Sequence, residues 1–233
     1  MKFVGERRAL AAIVLAFFFI YFVLAAIQFG GEMGRPFWGL AGVYGLASFA
    51  LIAGYFWARW YAVGVGLFGV IVAAVVTWQI GELFGPIMFL GGTHAFVALG
   101  LWGQAMSEPF DGQTKWREKF HMDEGAVQRL GRSVIRAGVS LPFILLYALT
   151  PKPDAFGLLA VVLATLGFRG LVQLKTWGVL MIGAAGAALL FAPSHALVFG
   201  HHLWTVPALP IAFLLLAAAA PFVRPIARYV HAR

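Results

Sequence analysis

The chain has 233 residues, 62% hydrophobic and 11% charged, where a soluble domain averages roughly 25% charged. A soluble globule of this size cannot hide so much apolar surface, so lipid is the solvent for most of it. Cysteine is absent, which excludes disulfides, Cys-ligated zinc, iron–sulfur clusters and thiol nucleophiles. The net charge of +8 would suggest nucleic acid in a soluble protein, but here anionic lipid headgroups are the expected partner.

Spans of about 20 residues fit eight times into the chain and leave about 70 positions for loops and tails. That leaves no room for a separate soluble domain. Lys2, Arg7 and Arg8 precede the first apolar run, Leu10–Gly30. The run is longer than the roughly 7–15 residues of a signal-peptide core, so it is read as an uncleaved span. A turn over Gly31–Pro36 follows, with Pro36 suited to the first position of the next helix. The second span is Phe37–Trp57, closed by Arg59, and the third is Trp60–Ile80. Gly85 and Pro86 break the helix, and a fourth span reaches Met106.

The longest polar stretch, Ser107–Arg132, comes next. In it Asp123 can cap a helix that begins with Glu124 and runs into the fifth span, Val134–Leu149, where Pro142 predicts a kink. Pro151 to Asp154 form a rigid turn. The sixth and seventh spans are Ala155–Leu174 and Trp177–Phe191, Ala192–His202 is a loop, and the last span is Leu203–Val223. The expected fold is therefore all-α and polytopic, with eight transmembrane helices. Helices 1–4 occupy residues 1–106, an amphipathic loop 107–132, and helices 5–8 residues 133–233.

Eight spans place both termini on one side. With the N-terminus in the cytoplasm, 15 of the 17 Lys and Arg residues lie inside, and only Arg35 and Lys152 lie outside. The inner face then carries about +9 and the outer about −1, a strong positive-inside signal. The expected location is a membrane such as the bacterial inner membrane. Trp38, Trp57, Trp60, Trp78, Trp102 and Trp204 fall at span ends, as interfacial belt residues do.

The two halves share a pattern. Trp60-x5-Gly66-x2-Gly69 opens the third span and Trp177-x5-Gly183-x2-Gly186 the seventh, 117 positions later. Two four-span repeats would be parallel, because four is even. Shared composition is the competing explanation.

Charge is nearly absent from mid-membrane depth, which lowers the reading of an ion-coupled carrier. His94 is the exception, about ten residues into the fourth span and close to the midplane. The commoner role for such a residue is one interhelical hydrogen bond; ligand or metal binding is the alternative. Thr93 and Glu82, at the outer end of the third span, are the companion ligand candidates. His195, His201 and His202 form an outer histidine cluster that could take zinc or copper, although no known ligand spacing is met. Arg129, Arg132 and Arg136 recur at helical spacing and are the lipid-headgroup candidates. Gly39, Gly42 and Gly45 make a small-residue stripe for close packing within the chain or against another subunit.

No Gly-x-Ser-x-Gly, Walker-type or His-Glu-x-x-His motif occurs, so catalysis is not expected and no cofactor is indicated. Two functions remain. One is a non-catalytic membrane subunit or scaffold packing against other membrane proteins, copies of itself and lipid. The other is a transporter or facilitator for a small neutral or lipid-like molecule.

Overall fold

The structure is a computed structural model that describes residues 4–82, 85–106, 110, 123–149, 154–193, 195–199 and 202–231, with 104, 195–199, 202–205 and 227–231 described by backbone alone. Among the described residues there are eight α-helices: α1 Val4–Phe29, α2 Gly31–Ala53, α3 Ala58–Ile80, α4 Gly85–Gly100, α5 Glu124–Ala148, α6 Ala155–Val172, α7 Thr176–Leu190 and α8 Ala208–His231. Six of them (α1, α2, α3, α5, α6 and α8) are long and apolar enough to cross a membrane. The chain is a multi-pass integral membrane protein. α4 and α7 have 16 and 15 residues. At 1.5 Å per residue they span about 24 and 22 Å, less than the roughly 30 Å of a hydrocarbon core.

Local chemistry sets the boundaries. α2 starts at Gly31, so the segment read as a turn is helical and Pro36 lies inside the helix. The carbonyl that Pro36 leaves without a donor belongs to the exposed first-turn residue Glu32, where a missing bond is least costly. Gly34 lets this end approach α1: a Cβ there would lie 2.6 Å from the Ala26 oxygen. α2 stops at Gly54, in the left-handed conformation at φ 75°, ahead of the expected end at Trp57. α4 ends at Gly100 and a 3-10 turn covers Gln104–Met106, where a continuous span was expected.

Asp123 caps α5 as the sequence predicts, accepting from the Ala126 N–H at 2.5 Å. The helix then runs unbroken to Ala148, through the boundary read at residue 132. α6 is capped in the same way by Asp154, which accepts from Phe156 and Gly157.

The loop expected over Ala192–His202 and the first residues of the last span instead hold an antiparallel pair, β1 His195–Phe199 and β2 His202–Val206. Trp204, Thr205 and Val206 favour the strand, and Pro207 separates it from α8, which starts at Ala208 rather than Leu203.

The helices form two rings. α1 packs on α2, α2 on α3, α3 on α4 and α4 on α1, while α5, α6, α7 and α8 close the same circuit. α3 and α2 join the halves by packing on α5. The α3–α5 crossing is backbone to backbone, since a Cβ on Gly64 would lie 2.5 Å from the Ile135 oxygen and 2.9 Å from Gly138 Cα. Trp60 lies over Gly131, and Phe68 meets Phe143 edge-on with centroids 4.7 Å apart. Trp57 and Trp60 are therefore buried in the helix packing, whereas Trp38, Trp78 and Trp102 are exposed as a belt residue should be.

The N-terminal arginines bind helix ends. Arg8 donates to the carbonyls of Leu51 and Ile52 at the end of α2, and Arg7 to those of Gly100 and Trp102 at the end of α4. Arg59 reaches the Gly103 oxygen at 2.8 Å. Each cation sits at or just past the end of a helix, where carbonyls keep acceptor capacity and the negative end of the helix dipole favours positive charge.

Candidate functional site

A cavity of about 790 Å³ lies among α1–α4, with Leu146 of α5 also on its wall, within the usual range for small-molecule sites. α1 supplies Phe17, Phe18, Tyr21 and Phe22, two aromatic pairs one helical turn apart. α2 presents Phe37, Leu40 and Tyr44, at the 0, 3 and 7 spacing of one helix face. α3 contributes Phe68 and Gly69 at one end and Gln79 and Ile80 at the other, and α4 closes the wall with Pro86, Phe89 and Leu90. Polar side chains on this wall are few: Tyr21, Tyr44 and Gln79. A lining so rich in phenylalanine suits an apolar guest.

At the Tyr44 end sits His94, completely buried. Its Nε2 is 2.6 Å from the Tyr44 hydroxyl, and its Nδ1 is 2.8 Å from the Leu90 carbonyl one turn back on α4. A carbonyl can only accept, so in the neutral ring the hydrogen is on Nδ1 and Nε2 carries a lone pair. The Tyr44 hydroxyl therefore donates to Nε2. Phe18 packs against the imidazole at 4.4 Å between centroids, and the Tyr44 ring meets it edge-on at 5.5 Å.

Gly66 and Gly69 make room for this arrangement. A Cβ on Gly69 would be 1.9 Å from the imidazole Cδ2, and one on Gly66 would be 2.9 Å from the His94 carbonyl. The motif Gly66-x2-Gly69 is thus the seat of α4 on α3.

The interhelical hydrogen bond expected of His94 is present, and it runs to a tyrosine that the sequence reading did not single out. Tyr44 lies between Gly42 and Gly45, and its spacing from Phe37 and Leu40 is the signal that places it on an inward face. Thr93 does not join the site, because its hydroxyl is used on the Phe89 and Leu90 carbonyls of its own helix. Glu82 is exposed one residue past Gly81, the left-handed cap of α3, and is not among the residues lining the cavity.

The other candidates lie elsewhere. His201 is outside the described residues, and for His195 and His202 only the backbone is described. The ladder pairs His195 with Val206 and His202 with Phe199, so these two backbones sit at opposite ends of the hairpin. Among the described residues no group of three His, Asp or Glu side chains is placed to hold a metal.

The three arginines of α5 separate in role. Arg129 pairs with Asp123 at 3.8 Å. Arg132 is exposed and lines a second hollow of about 480 Å³ with Arg59, Trp60, Trp102, Gln128 and Glu124. Arg136 turns inward and donates to the Ala217 carbonyl of α8.

The glycine stripe of α2 also divides. Gly39 is packed on Leu145 of α5 and on Leu149 just past its end, and Gly45 on Phe19 of α1, while a Cβ on Gly42 would meet nothing within 4 Å. Two of its three members are already taken by the chain's own helices.

No protein-family model matches the chain, and no curated protein or solved structure matches it significantly.

Proposed function

We propose that the protein holds, and allows the passage of, an apolar lipid-like molecule in the cavity among α1–α4. The observation that carries this reading is the cavity itself, about 790 Å³ walled by phenylalanine and lined by Tyr44, whose hydroxyl is bonded to the buried His94 behind it. The chain crosses the membrane eight times, with α4 and α7 as short spans and both termini in the cytoplasm of a bacterial inner membrane. The 15 to 2 distribution of basic residues supports this topology.

The two halves are a parallel duplication in which one copy became a site. In support, Gly66 and Gly69 seat α4, while Gly183 and Gly186 lie against Ala219 and Leu216 of α8. Leu216 stands against Gly186 as His94 stands against Gly69, so the second half is apolar where the first holds its polar pair. Lipid headgroups are bound at the arginine-rich end.

The other expectation, a non-catalytic subunit of a membrane assembly, rests on exposed apolar faces such as that of Gly42 and Phe49 on α2. Lipid alone covers such faces equally well.

The test is a cavity-filling variant. Val72→Phe places a ring inside the cavity. The wild-type full chain, purified in mild detergent and extracted with organic solvent, should release a defined apolar molecule that the folded variant lacks, as read by mass spectrometry. Identical extracts from the two proteins would refute the reading.

A further inference from the structure

The hydrogen ownership at Tyr44 and His94 says which class of lipid-like molecule fits. This inference rests on the cavity being a ligand site. The Leu90 carbonyl takes the Nδ1 hydrogen of His94, so Nε2 must be an acceptor and the Tyr44 hydroxyl hydrogen is committed to it. The Tyr44 oxygen keeps a lone pair. Donating into the imidazole polarises that oxygen and makes it a better acceptor. At this end the pair therefore offers an incoming molecule an acceptor and no donor.

Among the described residues the lining carries no carboxylate or cation, which leaves an ammonium or phosphate group without a counter-charge in an apolar site. A guest that places a carbonyl or ether oxygen at this end would bring a second acceptor to an acceptor.

We propose that the cavity takes a neutral apolar alcohol, oriented with its hydroxyl donating to Tyr44 Oη and its hydrocarbon body along Phe18, Phe22, Phe37 and Phe68. Gln79, exposed at the far end of the α3 wall, lies where the body of such a guest would enter.

The experiment measures binding of two probes of equal chain length, a C20 isoprenoid alcohol and its methyl ether, to the full chain in detergent. The wild type should hold the alcohol roughly three- to ten-fold tighter, the range that one neutral hydrogen bond supplies. Tyr44→Phe should bind both probes alike, at the affinity of the ether. His94→Leu provides a second reading if Tyr44→Phe does not fold, because leucine already occupies the corresponding place against Gly186. There the Tyr44 hydroxyl hydrogen is released to the guest, and the preference for the alcohol should disappear through a gain by the ether. Equal binding of both probes by the wild type overturns the alcohol assignment and leaves the cavity reading standing. Failure of the wild type to bind either probe, with Val72→Phe behaving identically, overturns both.

Discussion

Arg136 Nη1 lies 2.5 Å from the main-chain oxygen of Ala217, and Ala217 is the residue whose helical donor would be the nitrogen of Pro221. Proline has no N–H to give, so the guanidinium of α5 supplies the missing hydrogen bond to α8. In an apolar surrounding an unpaired carbonyl is costly, and the contact ties two helices of the second half where Pro221 has removed a bond from one of them.

A double-mutant cycle tests this relation. Arg136→Met should lower stability by about 1–3 kcal/mol, the cost of leaving a buried polar group unpaired. In a Pro221→Ala background the new N–H closes the helical bond, and the same substitution should cost at least about 1 kcal/mol less. Thermal or denaturant unfolding in detergent reads both values, and strict additivity would contradict the account.

Gly69 and His94 are coupled through space rather than through a bond. Gly69→Ala puts a methyl group 1.9 Å from the imidazole, and α4 must shift or the ring must leave its place. The expected loss is about 1–3 kcal/mol, as for other overpacked cores. His94→Ala removes the clash, so the double variant should recover part of that loss. A Gly69→Ala protein as stable as the wild type would mean that α4 does not sit on α3 as described.

The arginines of α5 should differ in lipid binding because they differ in what they already hold. Arg132 is exposed at the hollow shared with Arg59, so Arg132→Gln should weaken retention of phosphatidylglycerol roughly five-fold, equivalent to about 1 kcal/mol per basic residue near an anionic surface. Arg136→Gln should change retention little, since its guanidinium is committed to Ala217. Native mass spectrometry of the delipidated protein titrated with that lipid compares the two. Equal effects would restore the reading of one uniform basic stripe.

Much of this architecture is legible in the sequence, because a long apolar run needs no tertiary information to declare a membrane helix. α3, α6 and α7 fall within a few residues of their expected ends, α1 begins at Val4 ahead of the expected Leu10, and α5 follows the cap at Asp123. The failures have physical causes. Leu203–Val206 is as apolar as the helix behind it, so hydrophobicity alone could not separate strand from span, and only the β-branched and aromatic character before Pro207 marked the change. Trp57 and Trp60 have the composition of belt residues, but Gly131 of α5 accepts Trp60 into the packing. His94 announced itself as a polar residue at depth, whereas Tyr44 is counted among the hydrophobic residues of the composition although its hydroxyl completes the pair. The cavity had no sequence signal of its own, since the phenylalanines that wall it are the same residues that would fill a core.

In the proposed function an apolar guest occupies the space among α1–α4. Its most direct test is an experimental structure of the full chain extracted into native-lipid discs without detergent exchange. The account predicts elongated density lying along Phe18 and Phe37 and ending within hydrogen-bond reach of Tyr44, with the Tyr44–His94 contact intact. A cavity closed by α4 moving against α1, with no guest between them, would contradict it.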